Sequence, residues 1–179
     1  MGYSNILYEV RENIGFLTIN RPKLLNALNN QTIDEFRDAL SEAKKDDQVR
    51  VVILTGSGDK AFVAGADIPE IAGITLKEGF DFSRKGQQMT RDVEELGKPC
   101  IAAVNGLALG GGLELALACT FRIMSENARV GLPEAGLGVI PGYGGTQRLA
   151  RVIGKARALW TILVGDMISA QEALQMGLA

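Results

Sequence analysis

Ile101-Ala-Ala-Val-Asn-Gly-Leu-Ala-Leu-Gly-Gly-Gly-Leu-Glu-Leu-Ala-Leu-Ala-Cys119 is the stretch around which the rest of the chain is arranged. Residues 101–104 are short, uncharged and partly β-branched, the pattern of a buried strand, whereas residues 114–118 are all helix formers. Gly110, Gly111 and Gly112 mark the turn between them. Lacking Cβ atoms, they adopt backbone angles closed to other residues and let a ligand approach the main chain. The first amides of a helix that starts here have no intrahelical partner and carry partial positive charge. Such amides suit an oxygen that gains negative charge, and Glu114, in or near the first turn, faces whatever they hold. From the residues alone a second reading stays open: the glycines only allow close helix–sheet packing, and Glu114 is a dipole partner worth roughly 0.3–1 kcal/mol.

Composition narrows the chemistry. The chain has 179 residues, 46% hydrophobic and 22% charged, enough for one sizeable core, so a single domain over residues 1–179 is expected. The formal charge of -2, with both signs mixed along the chain, argues against nucleic acid or an anionic membrane as partner. Histidine is absent, which removes serine–histidine and cysteine–histidine mechanisms. With Cys100 and Cys119 the only soft ligands, no metal site is expected. Acid–base work falls to carboxylates, lysine, tyrosine or cysteine.

Two thiols in apolar surroundings, without a secretory pattern at the N-terminus, point to a reducing compartment, and the cytoplasm is the expected location. Residues 99–119 are the one segment with the length of a membrane span. Their glycines, Asn105 and Glu114 argue against it.

Before the central stretch, residues 6–10 and 14–19 flank a turn-like Arg11-Glu-Asn-Ile14 and predict a β-hairpin. Residues 23–28 read as a loop. Thr32-Ile-Asp-Glu35 has the form of a capping box, followed by Phe36, Leu40 and Ala43 at helical spacing, so a helix is predicted from there to about Lys45. Val51-Val-Ile-Leu-Thr55 reads as a strand buried on both faces, residues 61–68 as an irregular loop whose main chain is open to a ligand, and residues 76–96 as helical.

After the central stretch, residues 121–125 and 128–131 look like short strands about a Glu126-Asn127 turn. Residues 132–145 are dense in turn formers and place Glu134 on a loop. Residues 146–153 and 156–164 are helical by composition. Ser169-Ala-Gln-Glu172 is a second capping box, opening a helix that Gly177 ends. The alternation of strands and helices defines an α/β protein with substantial parallel pairing.

Five motifs in this order, Ala64-Gly-Ala-Asp67, Asn105-Gly-Leu-Ala-Leu-Gly-Gly-Gly-Leu-Glu114, Leu132-Pro-Glu134, Gly138-Val-Ile-Pro-Gly142 and Gly144-Gly-Thr-Gln-Arg148, strongly resemble the enoyl-CoA hydratase (crotonase) family. The similarity runs from about Ile6 to the last residue. It implies a crotonase-like (ClpP/crotonase) spiral of ββα units, with two nearly perpendicular sheets surrounded by helices, assembled as trimers or pairs of trimers.

The resemblance also implies roles. The backbone amides of Ala66 and Gly111 hold the thioester oxygen of an acyl-CoA. Glu114 and Glu134 bracket one water, with Glu114 taken as the base and Glu134 as the acid for reversible hydration of a 2-enoyl-CoA. Ala64, Asp67 and Ile68 lie along the CoA arm, and Leu25 and Ala27 on the opposite wall. No cofactor is implied, since the CoA thioester is the substrate. Keeping both glutamates favours hydration over double-bond isomerisation or another crotonase-fold acyl-CoA chemistry, the alternatives within the family; a module that only binds or assembles is the alternative outside it. Pro69 departs from the family, many of whose members carry lysine there. Cys100, Cys119 and Trp160 are assigned to packing. Family members continue for several helices beyond residue 179, so the chain is expected to lack most of the C-terminal helical part and to expose apolar surface where those helices would lie.

Overall fold

The computed structural model describes residues 2–179. The expected hairpin is present: β1 (Ile6–Arg11) and β2 (Ile14–Ile19) pair antiparallel, and Glu12 and Asn13 both take positive φ, as a two-residue hairpin turn requires. β3 (Val51–Gly56), β5 (Cys100–Val104) and β7 (Phe121–Met124) extend that sheet in parallel, giving the order β1-β2-β3-β5-β7. A second sheet holds β4 (Ala61–Val63), β6 (Leu107–Leu109), β8 (Arg129–Gly131) and the two-residue β9 (Ile168–Ser169), in that order.

From β3 to β8, consecutive strands therefore alternate between the two sheets. β3 and β4, β5 and β6, and β7 and β8 each place one strand in either sheet before the chain turns into a helical segment, which is the expected spiral of ββα units. Asn105 fixes one such crossing: its Nδ2 donates to the carbonyls of Gly56 and Gly58 at 2.8 and 2.7 Å, and its Oδ1 accepts from the Gly56 amide at 3.2 Å.

The helices are α1 (Asn30–Lys45), the single turn α2 (Ile68–Ile71), α3 (Leu76–Glu94), α4 (Gly111–Ala118), α5 (Gly145–Ile153), α6 (Lys155–Val164) and α7 (Ala170–Met176). α4 is buried all round, packed on α3, α5, β4 and β6, so residues 113–118 need no polar face. Leu17, Leu54, Phe62, Leu113 and Leu115 form the centre of the core, each stabilising the fold by about 1.5–3 kcal/mol through burial. The segment long enough to resemble a membrane span is thus the middle of a globule. No helix among the described residues is long and apolar enough to cross a membrane.

Several expectations need correction. α1 is capped by Asn29, whose Oδ1 accepts from the Thr32 amide at 2.8 Å and the Thr32 hydroxyl at 2.6 Å, so Thr32 lies inside the helix and not at its cap. Glu35, freed from capping, accepts instead from the Asn5 amide at 2.6 Å. β3 fully buries one face only: Val52, Leu54 and Gly56 are buried, while Val51, Ile53 and Thr55 on the other face are part-buried. Residues 61–63 are a strand, paired in parallel with β6 across a register shift between Ala61 and Val63. β6 also intervenes between β5 and the glycines, so the helix does not follow residues 101–104 directly. Residues 121–124 and 129–131 are short strands about a turn at residues 126–127, as expected, and each enters a different sheet. Glu134 lies in a turn of 3-10 helix (Pro133–Leu137). Trp160 is 64% exposed on α6 and does not pack in the core, whereas Cys100 and Cys119 do, as free thiols with sulfurs 3.7 Å apart. The capping box at Ser169 and the Gly177 stop are as expected.

Candidate active site

The first turn of α4 is built by its glycines. Gly110 has φ +51°, and a Cβ there would stand 2.9 Å from Glu134 Oε1. A Cβ on Gly112 would collide with the Val63 carbonyl oxygen at the end of β4. The glycines thus bring α4 into contact with the loop that follows β4. In that loop Gly65 has φ +92°, and Leu28 forms a parallel bridge with Ala66, with the Leu28 amide donating to Gly65 O and the Asp67 amide to Leu28 O. Among the described residues, the amides of Ala66 and Gly111 have no protein acceptor. Both residues line one cleft of about 1220 Å³.

Glu114, 1% exposed, reaches the same cleft. Its Oε1 accepts from the Tyr143 amide at 2.8 Å and the Gly145 amide at 2.6 Å. Oε2 is left without a protein donor. Burial pushes the Glu114 pKa up to about 7, against the two amides that favour its charged form, while the Glu134 charge adds to the rise. Glu134 lines the cleft from the 3-10 turn, with Oε2 buried and without a partner, and burial raises its pKa too. Two largely buried carboxyl groups held in one cleft do not ionise together easily.

The remaining expected residues divide. Ala64 and Ile68 line the cleft. Leu25, Ala27 and Asp67 stand beside it: the Ala64 amide donates to Leu25 O, and Arg21 bonds both Asp67, through Nη2 at 2.8 Å, and the Ala27 carbonyl. Pro69 is exposed in the first turn of α2. Residues 138–148 carry motifs to which the sequence attaches no task. They supply both amides that hold Glu114, and Arg148, which bonds Glu94 and the Tyr143 carbonyl. The signal was the density of glycine next to the bulky Tyr143.

Comparison with known proteins defines the class. A family model described as enoyl-CoA hydratase/isomerase matches residues 9–179. The chain belongs to that family, and its fold is the crotonase fold. It is 49% identical over 178 residues to a crotonyl-CoA hydratase of Syntrophomonas wolfei subsp. wolfei and, to the same extent, to a short-chain-enoyl-CoA hydratase of Clostridium acetobutylicum, covering 99% of this chain and 68% of each relative. The crystal structure of an enoyl-CoA hydratase from Bacillus anthracis superimposes with a TM-score of 0.95 at 44% identity, covering 98% of this chain and 69% of that one.

Proposed function

We propose that the chain is an enoyl-CoA hydratase, a hydro-lyase that adds water reversibly across a 2-enoyl-CoA to give the 3-hydroxyacyl-CoA. The observation that carries this reading is the meeting of Glu114, Glu134 and the two acceptor-free amides of Ala66 and Gly111 in one cleft. The amides receive the thioester oxygen, which gains negative charge as water attacks the β-carbon; one such donor is worth about 2.7–4 kcal/mol. Glu114 Oε2 orients the water and takes its proton as the C–O bond forms. Glu134, whose carboxyl group has a buried oxygen without a protein donor, gives its proton to the α-carbon. The net change is one water added, and one proton passed from Glu114 to Glu134 resets the pair. The reaction closes with these groups and calls for no cofactor or metal.

Ala64, Asp67 and Ile68 along the CoA arm, and Leu25 and Ala27 opposite, belong to the same reading. So do a cytoplasmic setting and a homo-oligomer, supported by the two free buried thiols and by the exposed Trp160 and Leu163 of α6. Loss of the conjugated absorbance of crotonyl-CoA tests the proposal. The parent chain turns it over, and Glu114→Gln and Glu134→Gln each lower the rate by about 10²–10⁴-fold. A parent that binds the thioester without turnover, or that shifts a 3-enoyl double bond without hydrating, overturns it.

A further inference from the structure

The turn that holds Glu114 is itself held from behind. Its Tyr143 and Gly145 amides go to Glu114 Oε1, while its carbonyls go to other partners. Ser83 Oγ and Gln87 Nε2 of α3 donate to the Gly142 carbonyl at 2.8 and 2.9 Å, and Thr90 Oγ1 of the same helix to the Tyr143 carbonyl at 3.0 Å. The charged donor to the Tyr143 carbonyl is Arg148 Nη1, at 2.8 Å. The other two nitrogens of that guanidinium, Nε and Nη2, close a bidentate pair with the Glu94 carboxylate at 2.8 and 2.6 Å, which fixes the plane of the fork against the carbonyl.

The local sequence accommodates this at a disadvantage to itself. Arg148 is the fourth residue of α5, near the helix end where a cation is disfavoured, yet its side chain is only 15% exposed. Gly144 has φ +102°, and a Cβ there would collide with Arg148 Nη1, so glycine is what leaves the guanidinium room under the turn. We propose that Arg148 is a positioning residue: anchored on Glu94, its guanidinium fixes the Tyr143 carbonyl and, through it, the turn whose two amides aim Glu114. What Glu114 is aimed at, a water beside a 2-enoyl thioester, rests on the hydratase reading.

The charged or titratable groups that face Glu114 are Glu134 from the 3-10 turn, the Tyr143 phenol and Arg148. α3 adds Arg91 and Glu94 to the same cleft, α5 adds Arg151, and β4 and β6 carry none. Loss of Arg148 removes a positive charge and loosens two amides that favour the carboxylate, so both effects raise the Glu114 pKa.

Carbon-13 NMR of protein labelled in its glutamate carboxyl groups, with the Glu114 signal assigned by its loss in Glu114→Gln, reads this without turnover. In Arg148→Gln the Glu114 midpoint moves up by about one pH unit. On crotonyl-CoA, kcat falls by about 10²-fold with KM changed much less. Arg148→Lys keeps the charge but has no planar fork to span carboxylate and carbonyl, so its midpoint stays near the parent's while kcat remains about tenfold low or worse. Glu94→Gln also lowers kcat, and the double variant falls no further than Arg148→Gln, because the pair acts as one unit. Circular dichroism establishes that each variant is folded, and Arg148→Lys carries the test if Arg148→Gln unfolds. An unmoved midpoint in folded Arg148→Gln, full kcat in Arg148→Lys, or additive losses in the double variant overturn the inference. A midpoint moved as expected, with no hydration of crotonyl-CoA by the parent, would instead sink the hydratase reading and leave the role of Arg148 standing.

Discussion

The Gly145 amide nitrogen stands 2.6 Å from Glu114 Oε1, and a Cβ placed on Gly145 would stand 2.9 Å from the Glu114 Cγ. The first residue of α5 thus both holds the carboxylate and limits where it can stand. One oxygen of Glu114 is committed to the main chain, and the other is aimed by that commitment.

Gly145→Ala is therefore expected to push Glu114 out of line while keeping the carboxylate. Steady-state kinetics on crotonyl-CoA should show kcat lowered by about 10²-fold, the usual effect of misplacing a reacting group by about 1 Å, with KM changed much less. An unchanged kcat would mean that the position of Glu114 is immaterial.

Glu114 also ties stability to pH. Its folded pKa, about 7, lies above the unfolded value of 4.5. The folded state therefore binds more protons between these values, and stability falls as pH rises through that window. The loss amounts to about 3 kcal/mol by pH 8. Denaturant titrations should show Glu114→Gln flattening the decline from pH 5 to 8 and exceeding the parent in stability at pH 8, because the neutral amide still accepts from Tyr143 and Gly145. A decline of equal steepness in both proteins would assign it to other groups.

Gly112→Ala would set a methyl group against the Val63 carbonyl and prise α4 from β4. The expected cost is about 1–3 kcal/mol of stability, the range for overpacking a tight contact. It should come with a larger KM for crotonyl-CoA, since the Ala66 and Gly111 amides are carried on the two parts separated. Thermal unfolding and initial rates measure both.

Asn26 is buried at φ +59°. Its Nδ2 donates to the carbonyls of Ser57 and Ala61, and its Oδ1 accepts from the Arg21 amide. Asn26→Ala strands all three backbone groups and keeps an unfavourable φ, so about 3 kcal/mol or more should be lost, seen as a lower denaturant midpoint at constant slope. A shift below about 1 kcal/mol would show that water replaces the amide.

Elements with a strong local pattern were legible in the sequence. The hairpin, α3 and the Ser169 capping box needed only neighbouring residues to declare themselves, and the central glycines announced a helix head open to a negatively charged oxygen. Elements made by distant partners were not. β4 is three residues that become a strand because β6 lies alongside, and the Asn29 cap prevailed over the Thr32 pattern because both sites offer an oxygen and only the fold selects between them. Glu114 and Glu134 were picked out by the company of their motifs. The amides of Tyr143 and Gly145, which steady Glu114, were hidden because the glycines around them mark a turn without saying which carboxylate its amides will meet.

Because the chain alternates between two sheets as it advances, it climbs like the thread of a screw, and successive coils each contribute to the cleft: Ala66 from the coil opened by β3, Gly111 and Glu114 from that of β5, Glu134 from that of β7. The spacing between these groups is then the pitch of the thread. A residue lengthening an outer bend changes one wall and leaves the pitch alone, whereas one lost inside a strand advances every later coil out of step.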